Sequence, residues 1–347
     1  MSPAQPRSPG REPEPLARPY TGGTYYDRPA VKRSPWGREV AAYLFVSGLA
    51  GAAQVLAAVA RAVNPEGSRG LVRRARFIAT AGAATGAGLL VLDLRTKRRW
   101  YNMLRIFRPT SPMSIGTYVL SSFGFFTGLT FLGELFGGRR LMGRAAARAA
   151  DLAQVPAALA GAGMATYTAA LFSSTSTPGW AAVPEPLGVQ FATSAVASAA
   201  AALSIAEHAR GDAAQARALD AVAATATAAH LAASVAADAR RKSTGVSEPR
   251  AESPAAASRD LADFVIAGVL PLALYGCARL LGSRSRDLSM IAAGAVLAGN
   301  YLSRMTTLHS GNRSADHPRD YFRLARRRNL PALHSADRAR TTLQPMR

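Results

Sequence analysis

The sequence predicts an all-α integral membrane protein, a bundle of about eight transmembrane helices. Three observations predict it. Hydrophobic residues are 49% of the 347-residue chain, and they gather in blocks of about 17 to 25 residues, the length that crosses a hydrocarbon core of ~30 Å. The first, third, seventh and eighth blocks are apolar on every side, as a helix in lipid is and an amphipathic surface helix is not. The 42 Lys and Arg residues, nearly all Arg, sit between the blocks, so the net charge of +21 is a sum over loops and tails.

Each element follows in order. Residues 1–38 are rich in Pro, Arg and Gly and read as a cytoplasmic arm. The first apolar block begins at Val40, too deep for a signal peptide with its short charged head. The eight blocks run 40–63, 75–92, 114–135, 155–172, 188–206, 219–237, 261–281 and 288–303. The fourth is short and Ala-rich. The sixth is mostly Ala and by itself would also suit a soluble bundle. Residues 39–303 thus form one membrane domain, and 304–347 a basic tail. Within the tail, DYFRLARRRNLPALH fits an amphipathic helix on acidic lipid or an unstructured basic segment equally well. Gly82 with Gly86 and Gly124 with Gly128 are small-xxx-small pairs, which let helices approach closely. Glu134 beside Arg139 and Arg140 reads as a span boundary.

Charge orients the bundle. If eight helices alternate, the arm, the tail and the loops after the second, fourth and sixth blocks share one side. That side holds 28 of the 42 basic residues. The positive-inside rule then places both termini in the cytoplasm of a multi-pass plasma-membrane protein. Nucleic acid is excluded as a partner, because no basic stripe lies along a soluble helix or sheet. A single cysteine, Cys277, excludes a disulfide framework, a Cys-rich zinc site and a self-ligated iron–sulfur cluster. Only His230, of five histidines, falls inside an apolar block, so a haem with two axial histidines is excluded too. The chain carries no metal of its own on this reading.

Polar groups inside apolar segments are expensive and therefore informative. Glu39, Tyr43, Ser47 and Gln54 follow one another on the first span and fall within about 80° at 100° per residue, a stripe on one face. Such a stripe either bonds neighbouring helices or lines a site. Asp93 ends the second span on the side where Glu39 begins the first. The next loop, YNMLRIFRPTSPMSIGTYVLSSFG from residue 101, brings Tyr101, Asn102, Arg105, Arg108, Thr110 and Ser111 to that side. Pro109 and Pro112 stop a helix from running through, which leaves backbone groups in need of partners at the membrane edge. Carboxylates, a tyrosine and amides beside an apolar slot suit a ligand with a polar ring and a hydrophobic tail, and quinones have that shape. Their chemistry needs proton donors and acceptors, for which Glu39, Asp93 and Tyr43 are candidates.

The same residues carry a family resemblance. Asp93-Leu94, the turn from Trp100 to Leu104 and the segment from Pro109 to Ser114 resemble the signature of the NrfD/polysulfide-reductase membrane-anchor family. There an Asp-Leu-Gly-Arg-Pro segment leads to an aromatic-Tyr-Asn-Met-Leu turn and Pro-Thr-Ser-Pro-Met-Ser. Upstream, YYDRPAVKRSPWGREVAAYLFVSGLAGA resembles the family's approach to the first span, with Arg28, Trp36 and Glu39. Downstream, YTAALFSSTSTPGW from Tyr167 resembles the fourth span and the loop after it. The resemblance covers residues 25 to about 206, and beyond that rests on span count. One departure stands out: where the family has Gly-Arg-Pro-Glu-Arg, this chain has Arg95, Thr96, Lys97, Arg98 and Arg99.

The resemblance implies a metal-free membrane anchor that is not catalytic by itself. It implies a quinone or quinol, menaquinone or ubiquinone, as cofactor. Electrons would pass between that pool and an iron–sulfur subunit, itself wired to a molybdopterin catalytic subunit holding molybdenum or tungsten. Glu39 and Asp93 would transfer protons. Tyr43, Ser47, Gln54, Tyr101, Asn102 and Tyr167 would contact the quinone. Arg28, Trp36, Arg105, Arg108, Thr110 and Ser111 would shape the pocket and its docking rim. For Trp36, Trp100 and Trp180 plain interfacial anchoring is the favoured reading. Two other readings stay open: a transporter or proton channel, resting on Gln54 and His230 near the middle of spans, and a structural anchor without quinone chemistry.

Overall fold

The computed structural model describes residues 31–94, 96–137, 143–246, 258, 261–282 and 286–325. Arg28, Arg95, Arg139 and Arg140 lie outside the described residues, as does the tail beyond residue 325. Among the described residues the chain is helical, with no strand. The helices are α1 (Arg38–Val63), α2 (Arg69–Asp93), α3 (Pro112–Phe136), α4 (Gly143–Ser173), the short α5 (Pro178–Ala181), α6 (Pro184–Arg210) and α7 (Ala213–Thr244). After them come α8 (Leu261–Leu281), α9 (Arg286–Ala315) and the short α10 (Pro318–Leu324). A 3-10 segment, Lys97–Leu104, lies between α2 and α3, and a π-helical turn, Val265–Val269, opens α8.

Among the described residues seven helices, α1–α4 and α6–α8, are long and apolar enough to cross a membrane. The two Ala-rich blocks are both among them. α4 starts at Gly143, well ahead of its apolar block, and runs through Pro156 to Ser173. The block expected to be apolar on every side, the eighth, falls short instead. Its helix, α9, is 30 residues long, but buried Asn300 and Arg304 interrupt the apolar run.

The bundle is built as two four-helix halves. In the first, α1 packs on α2 and α4, and α3 packs on α4. In the second, α6 packs on α7 and α9, and α8 packs on α9. The halves meet along α1 and α6. In α1, 67% of the most apolar stretch is buried against protein and in α6 56%, against 22% in α3, so the first two form the centre and α3 faces outward. Small residues set these approaches. A Cβ on Gly51 would strike the carbonyl oxygen of Gly161, and the reverse holds, so the backbones of α1 and α4 touch. Gly82 admits Ala50 of α1 in the same way. Gly124 and Gly128 have open space around them and make no such contact, which corrects the packing expected of that pair.

Polar ties fix the rest. Arg33 donates three hydrogen bonds of 2.6–2.9 Å to Asp316, and Ser34 bonds Asn312, so the approach to α1 is fastened to the end of α9. Glu134, expected to mark a span boundary, pairs with Arg76 of α2 at 2.6 Å. Trp180 is fully buried within the protein. It stacks on Phe172 with ring centroids 4.6 Å apart and donates its indole N–H to the Thr307 carbonyl. His208, past the end of the fifth apolar block, still lies within α6 and bonds Asp220 at 3.0 Å. Of the stretch expected to be tail, residues 304–315 continue α9 and Pro318–Leu324 forms α10, with Asp320 buried.

Candidate functional site

A cavity of about 860 Å3 opens between α1, α2, α3 and α4 beneath the 3-10 segment. Its formation follows from the local sequence. Ser111 is the N-cap of α3 and accepts from the Ser114 amide, with Pro112 in the first turn where its missing N–H costs nothing. Ser114 Oγ in turn accepts from the Arg108 amide at 2.9 Å, and Tyr118 Oη donates to the Leu104 carbonyl at 3.0 Å. The loop is thereby stitched to the first two turns of α3 and roofs the space between α2 and α3. Gly116 keeps the wall thin: the Tyr167 ring lies where a Cβ would project.

The cavity is polar at its loop end and apolar along its length. Asp93, Asn102 and Tyr43 face into it, with Trp36 and Trp100 at the rim. Glu39 does not line it but stands close enough to Asp93 for the two carboxylates to repel each other. Leu120, Phe125, Leu171 and Ala87 form apolar walls, and Thr127 closes the deep end. Phe125 and Met113 are more than half exposed, so the wall between α2 and α3 faces the surrounding lipid.

The remaining sequence candidates are placed as follows. Tyr167 lines the cavity, but its hydroxyl is committed to the Pro112 carbonyl at 2.6 Å. Ser47 is buried behind Tyr43 against Gly86, outside the cavity. Gln54 is fully buried deeper in the bundle, where its amide donates to Thr130 Oγ1 at 3.0 Å. Tyr101 is 56% exposed and packs edge-on to Trp100. Arg105, Arg108 and Thr110 are exposed on the loop, and Ser111 serves the cap just described. Sequence reasoning missed Thr80, Thr117, Ser121 and Thr127, which bring hydroxyls to the lining. For α3 the signal was present: Met113, Thr117, Leu120, Gly124 and Thr127 recur at helical spacing on one face.

A family model described as "Polysulphide reductase, NrfD" matches residues 29–313. The chain belongs to the NrfD family. No curated protein matches it. The match extends past residue 206, where the sequence resemblance thinned, and takes in both four-helix halves. The NrfD chain is accordingly a multi-pass membrane protein of a family of anchor subunits in polysulfide-reductase-like oxidoreductases. Among its described residues no group of three or more His, Cys, Asp or Glu side chains is arranged to hold a metal ion.

The cavity suits the cofactor that the family implies. Its volume falls within the range of about 300–1,000 Å3 usual for small-molecule sites. Its lining has the expected form, apolar walls with a few convergent polar groups at one end. The exposed basic residues beside that end, Arg98, Arg99, Arg105 and Arg108, form a positive rim on the same face of the NrfD chain.

Proposed function

We propose that this NrfD chain binds a membrane quinone or quinol, menaquinone or ubiquinone, in the cavity beneath the 97–104 segment and relays electrons to an iron–sulfur subunit docked above it. The single observation that carries this reading is the cavity itself, polar at the loop end and apolar down to Thr127. A bound quinone supplies two-electron, two-proton chemistry. Tyr43 and Asn102 hydrogen-bond the ring oxygens, while Asp93, with Glu39 beside it, accepts or returns protons at the water-facing mouth. The walls from Leu120 to Phe125 hold the isoprenoid tail, which enters between α2 and α3. Arg98, Arg99, Arg105 and Arg108 steer an acidic partner face onto the roof. Beyond that subunit lies a molybdopterin catalytic subunit, and the assembly sits in the plasma membrane with both termini and the partner in the cytoplasm.

The reading is tested by affinity purification from native membranes in mild detergent. The expected preparation contains an iron–sulfur subunit with its paramagnetic signal, a molybdopterin subunit and extractable quinone. A chain that emerges alone, without clusters or quinone, would sink it.

A further inference from the structure

The deep end of the cavity is not closed by apolar side chains. Thr127 lines it, and Thr127 begins a series of buried polar contacts that continues away from the roof. Thr130 Oγ1 donates to the Thr127 carbonyl at 2.8 Å and accepts from Gln54 Nε2 at 3.0 Å. Gln154 Nε2 donates to the Gln54 carbonyl at 3.4 Å, and its Oε1 accepts from Arg76 Nε at 2.9 Å. Arg76 Nη1 then donates to Glu134 at 2.6 Å. Glu134 stands near the far end of α3 and its side chain is 27% exposed. Arg61 and Asp151 form an ion pair close by. From Thr127 to the end of α3 at Phe136 the rise is only about 13 Å at 1.5 Å per residue.

Three atoms of this series are buried without a protein partner: Thr127 Oγ1, Gln54 Oε1 and Arg76 Nη2. Buried polar atoms seek hydrogen bonds, and where protein supplies none, ordered water does. The three lie at the start, middle and end of the series, so waters bonded to them would complete a file. Five polar side chains from four different helices in the core of a membrane bundle are also costly unless they serve a path or a site. The positive charge of Arg76 would repel a passing proton if it stood alone, but the Glu134 carboxylate beside it offsets that charge.

We propose that Thr127, Thr130, Gln54, Gln154, Arg76 and Glu134 form a hydrated passage that carries protons between the floor of the cavity and the face opposite the roof. Hydroxyls and waters relay the proton, the two Gln side chains hold the waters in line, and Glu134 exchanges it with solvent. The passage stands on this geometry; its coupling to quinone chemistry rests on the reading above. That coupling would let protons enter or leave on the face opposite the iron–sulfur partner.

The test uses the full chain in liposomes with a pH-sensitive dye trapped inside and a potassium gradient clamped by valinomycin. Wild-type protein is expected to admit protons faster than protein-free vesicles. Gln54→Leu and Glu134→Gln are each expected to slow that flux by about tenfold, the effect of a barrier raised by roughly 1.4 kcal/mol. Thr130→Val serves as a further variant should Gln54→Leu fail to fold. Decylubiquinone, seated above Thr127, is expected to slow the wild-type flux as well. Wild-type flux equal to that of empty vesicles, or unchanged by all three substitutions, overturns the passage. Flux that responds to the substitutions but not to decylubiquinone supports the passage and counts against the quinone reading of the cavity.

Discussion

On the proposed reading, Tyr43 offers the quinone a single hydroxyl. Its ring is buried at the centre of the first half, yet the residue faces the cavity. Removing the oxygen alone, Tyr43→Phe, leaves the packing in place and is expected to weaken quinone binding about fivefold, the worth of one hydrogen bond of ~1 kcal/mol. Trp36 and Trp100 line the same cavity and report occupancy directly. Saturable quenching of their fluorescence by decylubiquinone, shifted to higher concentration in the variant, is the expected result. A quench that rises without saturating in both proteins would mean mere partition into lipid. A second residue-scale prediction concerns Glu207, wholly buried and ion-paired with Arg74. Glu207→Leu strands a guanidinium and is expected to cost about 3 kcal/mol, whereas the double variant Arg74→Met with Glu207→Leu recovers most of it. Thermal unfolding in detergent compares the two.

At the scale of elements, the roof is the part that the chain has to build rather than inherit from helix packing. It is a 3-10 segment and a loop held to α3 by Tyr118, Ser114 and Ser111. Tyr118→Phe removes the bond to the Leu104 carbonyl and is expected to leave thermal stability nearly unchanged while loosening the cavity's lid. The measurable consequence is faster proteolysis between residues 97 and 111 and weaker quinone binding, about fivefold by the same bond energy. The roof was also the most legible part of the site. Two prolines, a Ser cap and a run of polar residues are local signals, and the family signature coincides with them. Asp93, Asn102 and Tyr43 were likewise readable, because they sit at span ends or on a stripe. Gln54 was read near the middle of α1 on the face that carries Tyr43, but its partner Thr130 was not: four helices decide which polar group a stripe residue meets. Arg76 escaped for the same reason, since its partners Glu134 and Gln154 lie 58 and 78 residues further along the chain. Helix existence followed from hydrophobic blocks. Helix length did not, because α4 starts in polar sequence whose Arg144, Arg148 and Asp151 are exposed, and α9 ends in polar sequence that is largely buried against neighbours.

For the whole molecule, the question is whether α9 crosses, since composition does not class it with the other seven helices. Geometry answers through the ends. Arg33, just before α1, is fastened to Asp316, just after α9. The start of α1 and the end of α9 therefore share one face. Arg323 of α10 donates to the Gly245 carbonyl, which puts the end of α7 on that face too. Ala262 and Asp263 at the start of α8 share a pocket with Arg38 and Arg313, so α8 starts on that face as well. α9 must therefore run back through the full thickness, and its 30 residues span about 45 Å at 1.5 Å each. The polar side chains that lower its apolar character turn inward: Asn300 bonds Ser194 and Ser198, and Arg304 bonds Ser194 and sits over the Phe191 ring at 3.6 Å. Lipid is thus spared the charge, as membrane helices with polar residues require. The expectation is that reporters fused to either terminus report the same compartment, and that one inserted at residue 284 reports the opposite one. The terminal side holds 28 of the 42 basic residues, so by the positive-inside rule the compartment expected there is the cytoplasm. Green fluorescent protein at both ends should therefore fluoresce, and alkaline phosphatase should be active only at residue 284. A C-terminal reporter that behaves like the one at residue 284 would mean that α9 does not cross, and the second four-helix half would have to be redrawn.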